Sequence, residues 1–150
     1  MRYVHVEQLK SIRDDFEAAR AVMEFVEAEW DSLQEQPFVR GLSLGQVRTT
    51  ASRLEATYLI KLFAEFEGIL RASLATIRPG RRLRRTPTEA LINSVALRLR
   101  IPDYVRDGAH DVRKYRNVLV HPDGEAADAM SFGQAVSLLN HFLVWLPNPT

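Results

Sequence analysis

The first part of the chain carries an apolar residue at every third or fourth position, and this spacing restricts the fold more than any other feature. The series runs through Leu9, Ile12, Phe16, Ala19, Met23, Val26, Trp30 and Leu33. Steps of three and four residues return to one face of an α-helix, so the pattern predicts a long helix from about Val4 to Leu33. Such a narrow seam favours packing along another long helix, either in a bundle or across a dimer.

A second long helix is predicted from about residue 47 to Ile77, where the apolar face is broad. Pro37, Gly41 and Gly45 separate it from the first helix, as expected of a loop. Its start has two candidates. One is a capping box over residues 43–46, SLGQ, and the other is Thr50.

Three shorter helices follow in the second half of the chain. The segment TPTE at 86–89 predicts Thr86 as N-cap, Pro87 as the first helical residue and Glu89 as the third, with the helix ending near Arg98. The next helix is predicted from Asp103 to His121. The last is predicted over residues 132–146, after a capping box at 131–134.

These patterns together predict an all-α protein. No segment shows the two-residue alternation of a β-strand, and 150 residues are enough for one domain with a substantial core. We therefore expect a single domain over residues 1–150, an up-and-down helical bundle of about five helices. The chain has no cysteine, signal peptide or membrane-spanning apolar run, which favours a cytoplasmic protein without membrane contact.

The helix at 103–121 contains an unusual arrangement of polar residues. Its apolar stripe consists of Val105, Ala109, Val112, Leu119 and Val120. Arg116 falls within this stripe, and Asn117, His110 and His121 share the adjoining flank. Because Pro122 disfavours helical geometry at the preceding residue, the helix is predicted to end at His121.

A permanent cation, an amide and a titratable base at one helix end suit an anionic substrate whose reaction moves a proton. The spacing alone, however, favours a purely structural interpretation. Arg116 would then lie at the stripe's edge or pair with Glu55 or Glu67, since an unpaired buried charge is costly. His121 would only place a positive charge beside the last helical carbonyl groups.

Other candidate sites are few. The net charge is +1, but arginines crowd positions 78–85, where they either attract phosphates or form a solvated loop. The chain lacks a Gly-rich phosphate loop and an HExxH motif. Its four histidines show no metal-ligand spacing, so we expect no metal site.

The RNxxxH run at 116–121, near the end of the penultimate helix, resembles the signature of the HEPN superfamily of all-helical domains. The surrounding segments FAEFEGILR at 63–71 and RKYRNVLVHP at 113–122 are similar to its stand-alone bacterial branch. The resemblance covers nearly the whole chain. It implies a metal-independent endoribonuclease that acts as a homodimer, with both motifs facing one cleft and no cofactor.

The resemblance also implies roles for individual residues. His121 would transfer a proton, Arg116 would stabilise charge on the phosphorus, and Asn117 would orient the phosphate or His121. Contacts to the RNA backbone would come from further basic residues, namely Arg113, Lys114, Arg81, Arg82, Arg84 and Arg85. Glu67 is a secondary candidate that rests only on the local FEG pattern.

The biological setting implied by the resemblance is a toxin or antiphage effector, controlled by a cognate antitoxin or regulatory protein. Some relatives in that superfamily carry a modifiable tyrosine two residues after the histidine, where this chain has Asp123, so that form of control is not expected. The alternative is a non-catalytic HEPN module that binds RNA or a protein partner.

Overall fold

The computed structural model describes residues 4–80, 83, 85–124 and 126–148. In this part of the chain the secondary structure is helical, without strands, which confirms the predicted all-α class. A short 3-10 helix lies at Pro37–Val39. The α-helices are α1 (Val4–Ala28), α2 (Trp30–Leu33), α3 (Leu44–Ile77), α4 (Thr88–Leu99), α5 (Asp103–Val120) and α6 (Phe132–Leu143).

The two long helices, α1 and α3, form an antiparallel pair. Leu9, Ile12 and Phe16 of the predicted seam are buried in the main core. Two ion pairs join these helices, Asp15 with Lys61 at 3.7 Å near their middles and Glu27 with Arg48 at 3.5 Å near one end. The seam therefore packs within the bundle, which was one of the two arrangements that its spacing predicted.

The prediction of one unbroken helix to Leu33 is wrong at Glu29, where the backbone leaves helical geometry with φ −100° and ψ 15°. The break lets the short helix α2 turn Trp30 into a second, smaller cluster with Val39 and Val47. The loop after α2 folds back over this cluster. Tertiary packing of the tryptophan has thus overridden a continuous helical pattern.

Capping determines where two of the helices begin. At the start of α3 the Ser43 hydroxyl accepts the Gln46 backbone N–H at 3.2 Å, and the Gln46 amide oxygen accepts the Ser43 N–H at 2.7 Å. This places the start at Ser43 rather than Thr50. Ser131 and Gln134 form the same reciprocal pair before α6. Each box satisfies backbone N–H groups that lack a partner within the helix.

Two predicted boundaries are corrected by the structure. Helix α4 begins at Thr88, after Pro87, and Thr86 makes no side-chain cap. The Thr86 carbonyl instead accepts a hydrogen bond from Arg71 at 3.1 Å, which holds the preceding loop against α3. Helix α6 ends at Leu143, and the chain continues to buried Leu146 in turns.

Helix α3 also packs against α4, α5 and α6, and its apolar face supplies the centre of the main core. Phe63 and Phe66 are fully buried there, and Phe142 of α6 meets Phe66 edge-on with ring centroids 5.6 Å apart. Helices α5 and α6 approach closely at Gly108. A Cβ atom at this residue would lie 3.0 Å from Leu138 Cδ2, so the absence of a side chain permits the contact.

Glu55 of α3 fixes the beginning of α6. Its carboxylate accepts the backbone N–H of Phe132, the first residue of α6, at 2.6 Å. A negative charge at a helix N-terminus is favourable because the unpaired N–H groups there carry partial positive charge.

Among the described helices, none is both long and apolar enough to cross a membrane.

We predict that Glu55→Ala lowers the free energy of unfolding by about 1 kcal/mol, since α6 loses an acceptor and a favourable charge at its first turn. Glu55→Gln keeps an acceptor without the charge and should cost less than half as much. Urea denaturation measures both effects. Glu24→Ala, on an exposed position of α1, is the matched control for the same change of residue type. Equal stability of Glu55→Ala and Glu24→Ala would contradict the role of Glu55.

Candidate functional site

Arg116 lies half-buried on α5, with its guanidinium against α3. The guanidinium carbon is 5.9 Å from the centroid of the Phe63 ring, within the range of a cation–π contact. The predicted stripe holds for Val105, Ala109 and Val112, which are buried. Towards the end of the helix, around Arg116, the residues are less buried. Phe63 had no sequence signal as a site residue, because it looked like any other apolar position of α3.

The charge of Arg116 has no counter-ion in the described part of the chain. None of the ion pairs there includes this residue. One N–H group, at Nη1, donates to the Asn117 side-chain oxygen at 3.1 Å. The Nε atom is buried and lacks a hydrogen-bond partner among the described residues. A cation held in this way retains its capacity to bind an anion.

His121 caps the carboxyl end of α5 and has an exposed side chain. Its backbone N–H donates to the Asn117 carbonyl at 2.7 Å, and its own carbonyl accepts the Gly124 N–H at 3.0 Å. The helix ends where Pro122 predicted, and the chain turns sharply. Asn117 therefore contacts Arg116 through its side chain and His121 through its backbone.

These residues share one cavity of about 380 Å³ at the end of α5. It is lined by Lys114, Arg116, Asn117, His121 and Gly124. Two cations, an amide and an imidazole thus face the same space, and the lining contains no carboxylate among the described residues. The arrangement suits a phosphate-sized anion, which the arginine can hold with two parallel N–H groups.

The acids that could have neutralised Arg116 are engaged elsewhere. Glu55 accepts the Phe132 N–H, as described above. Glu67 forms an ion pair with Arg71, four residues later on the same helix. Arg71 in turn donates to the carbonyls of Leu83 and Thr86. Glu67, the secondary candidate, thus anchors the loop before α4 through Arg71.

His110 belongs to the contact between α4 and α5 and lines a different cavity from His121. Its Nε2 is 2.8 Å from the Asn93 side-chain oxygen, and its Nδ1 accepts a hydrogen bond from Arg113 at 3.3 Å. This pattern requires the proton on Nε2. Burial, followed by the nearby charge of Arg113, lowers the pKa of His110. Although sequence spacing placed both histidines on one flank of α5, they line different cavities.

The predicted RNA-contacting residues are in several environments. Arg113 pairs with Glu89 at 3.4 Å and bonds to His110, so it is oriented towards α4. Lys114 lines the Arg116 cavity. Arg85 is exposed. The remaining members of the cluster, Arg81, Arg82 and Arg84, lie outside the described residues.

Over the described ranges, no cluster of three or more His, Cys, Asp or Glu side chains is arranged to hold a metal ion. No protein-family model, curated protein or solved structure matches the chain.

We predict that Arg116→Met leaves the free energy of unfolding unchanged or raises it. The variant keeps an apolar side chain on Phe63 and removes a half-buried charge without a described counter-ion. Arg71→Met is the contrasting variant, because its guanidinium bonds to Glu67, Leu83 and Thr86. It should cost about 2 kcal/mol. A loss of several kcal/mol on Arg116→Met would instead indicate a buried ion pair.

We also predict that His110 titrates below the ordinary histidine pKa of about 6.5. Below that pH the unfolded chain binds a proton at this histidine more readily than the folded protein. The free energy of unfolding should therefore fall as the pH is lowered from about 6.5 to the folded-state pKa. NMR titration of the imidazole measures the shift. Arg113→Gln should raise the His110 pKa only part of the way, because burial remains, and an unchanged value would contradict the contribution of Arg113.

Proposed function

We propose that the protein is a metal-independent endoribonuclease of the HEPN type, which cleaves RNA at a site shared by two copies of the chain. The observation that carries the proposal is the cavity in which Arg116, without a described counter-ion, lies beside Asn117 and His121. The RNxxxH run supports it further, because the residues that resemble that signature are those lining the cavity.

A phosphodiester fits this cavity by charge and by hydrogen bonding. The Arg116 guanidinium packs over Phe63, which limits its freedom and orients its N–H groups in advance. Such preorganised donors stabilise the charge that develops on the non-bridging oxygens when phosphorus becomes five-coordinate. Lys114 adds a second positive charge to the same cavity. A pentacoordinate phosphorane carries more negative charge than the diester, so both cations favour the transition state.

The proposed reaction uses only atoms of the RNA as nucleophile and leaving group. His121 accepts the proton of the ribose 2′-hydroxyl, and the 2′-oxygen forms a bond to the adjacent phosphorus. The bond between phosphorus and the 5′-oxygen breaks, and that oxygen takes up a proton. The products are a 2′,3′-cyclic phosphate and a free 5′-hydroxyl. Neither a metal nor a cofactor takes part in these steps.

The need for two proton transfers supports a homodimer. One group must act as base at the 2′-oxygen while another acts as acid at the 5′-oxygen. Among the described residues, the cavity of a single chain is lined by one imidazole. A second copy whose helix α5 ends at the same cleft would supply the other. Because in-line attack requires a mobile ribose, the substrate is proposed to be single-stranded RNA.

The biological role proposed with this activity is that of a toxin or antiphage effector. Such an enzyme acts on cellular RNA and therefore needs a cognate antitoxin or another regulatory protein. The second candidate function is a non-catalytic module that binds RNA. It is favoured by Lys114 and Arg116, since their charges would hold a phosphate whether or not His121 transfers a proton.

We predict that purified protein cleaves single-stranded RNA in excess chelator and leaves 2′,3′-cyclic phosphate ends. His121→Ala should reduce the rate roughly 100-fold or more, since it removes the proton acceptor. Arg116→Met should cause a loss of similar size by removing charge stabilisation. The rates are measured on a labelled oligonucleotide, and the product ends are identified by mass spectrometry.

The matched controls are His141→Ala and Arg53→Met, which replace exposed residues on α6 and α3 that do not line the cavity. Both should cleave like the parent. Equal cleavage by all variants would reject the assigned residues. Absence of cleavage, with RNA binding that weakens steeply as salt is added and is reduced in Arg116→Met, would favour the non-catalytic module.

A further inference from the structure

A second, larger cavity adjoins the Arg116 cavity, and Lys114 lines both. It measures about 580 Å³ and lies between α5, α6 and the non-helical segment from Ala126 to Met130. Its volume falls in the range of small-molecule sites in proteins. A ligand with its phosphate at Arg116 would therefore extend past Lys114 into this space.

The local sequence explains why the cavity stays open. The connecting segment reads AADAM from residue 126, and its alanines place only methyl groups along the wall. Met130 and Leu138 supply the larger apolar surfaces. A wall of this kind suits a flat, weakly polar ring, because such a ring can bury its faces without losing hydrogen bonds.

The polar groups of the cavity are available to a ligand. Asp111, Asp128 and Lys114 form neither ion pairs nor hydrogen bonds with other side chains in the described part of the protein. The Gln134 amide oxygen is occupied by the Ser131 backbone N–H at 2.9 Å, so the amide nitrogen remains as a donor. The cavity thus offers two carboxylates that accept hydrogen bonds, the Lys114 ammonium and the Gln134 amide that donate them, and the Ser137 hydroxyl, which can do either.

The carboxylates distinguish among the nucleobases. A carboxylate accepts two parallel hydrogen bonds from neighbouring N–H groups, and guanine presents such a pair at N1 and N2. Adenine and cytosine each place a lone pair beside their amino group, which a carboxylate repels. Uracil has one N–H between two carbonyl oxygens. Single-stranded RNA exposes these edges, so they can be read directly.

We infer that this cavity is a base-binding subsite that selects guanine, with Asp111 and Asp128 as the accepting carboxylates. The attached 3′-phosphate would lie in the Arg116 cavity, and Lys114 would contact the nucleotide between them. The inference rests on the proposed function for its choice of RNA as ligand. It adds a substrate preference that neither the RNxxxH run nor the Arg116 cavity specifies.

The test is the binding of the four nucleoside 3′-monophosphates, measured by isothermal titration calorimetry. The parent protein should bind guanosine 3′-monophosphate at least fivefold more tightly than the other three. Asp111→Asn combined with Asp128→Asn should remove this preference and leave the other affinities nearly unchanged. Both residues are exposed, so the variant is expected to fold. Arg116→Met should weaken all four ligands by a similar factor.

The matched control is Asp107→Asn, one helical turn before Asp111 but facing the cavity at the α4–α5 contact. It should keep the guanine preference. Equal affinity for the four nucleotides in the parent, or a preference that survives the double substitution, would overturn the inference. Selective binding by a protein that does not cleave RNA would reject the nuclease but retain the subsite. Cleavage without any base preference would reject the subsite and retain the nuclease.

Discussion

The structure depends on burying the long helix α3 from several sides at once. Helices α1, α4, α5 and α6 all pack against it. A helix surrounded in this way cannot place polar side chains at random, because each one must find a partner or an opening to solvent. Three residues along α3 show the consequence. Glu55 meets the first N–H of α6, Phe63 lies under Arg116, and Glu67 holds Arg71.

The same helix therefore organises both the stability of the bundle and the candidate site. The carboxylates of Glu55 and Glu67 are engaged in structural contacts, and Arg116 has no carboxylate partner among the described residues. A half-buried cation of this kind contributes little to stability and retains its capacity to bind an anion. The polar contacts of Asn117 then connect this cation to the end of α5, where His121 is exposed.

Much of the fold was predictable because its determinants are local. The start of α6 followed from the residue pair Ser131–Gln134, which forms hydrogen bonds within a single turn. The end of α5 followed from Pro122 in the same way. The equivalent pair Ser43–Gln46 was one of two candidates for the start of α3, and the structure decided between them. The errors arose where distant residues intervened. The contacts of Trp30 with the following loop are accompanied by a helix break at Glu29, and Arg71 engages the carbonyl of Thr86.

The candidate site likewise has features that local spacing predicted and features that distant residues decided. Spacing alone grouped Arg116, Asn117 and His121, and they line one cavity because residues within one or two helical turns keep a fixed relation. Spacing also grouped His110 with them, yet its partners Asn93 and Arg113 draw it into the contact with α4.

The sequence by itself determined the helices, most of their ends and the polar triplet at the end of α5, since these follow from backbone geometry and near neighbours. Only the tertiary structure decided which carboxylates neutralise which cations, that Phe63 supports Arg116, and that a second cavity meets the first at Lys114. Those features depend on distances between segments far apart in the chain, which periodicity does not encode.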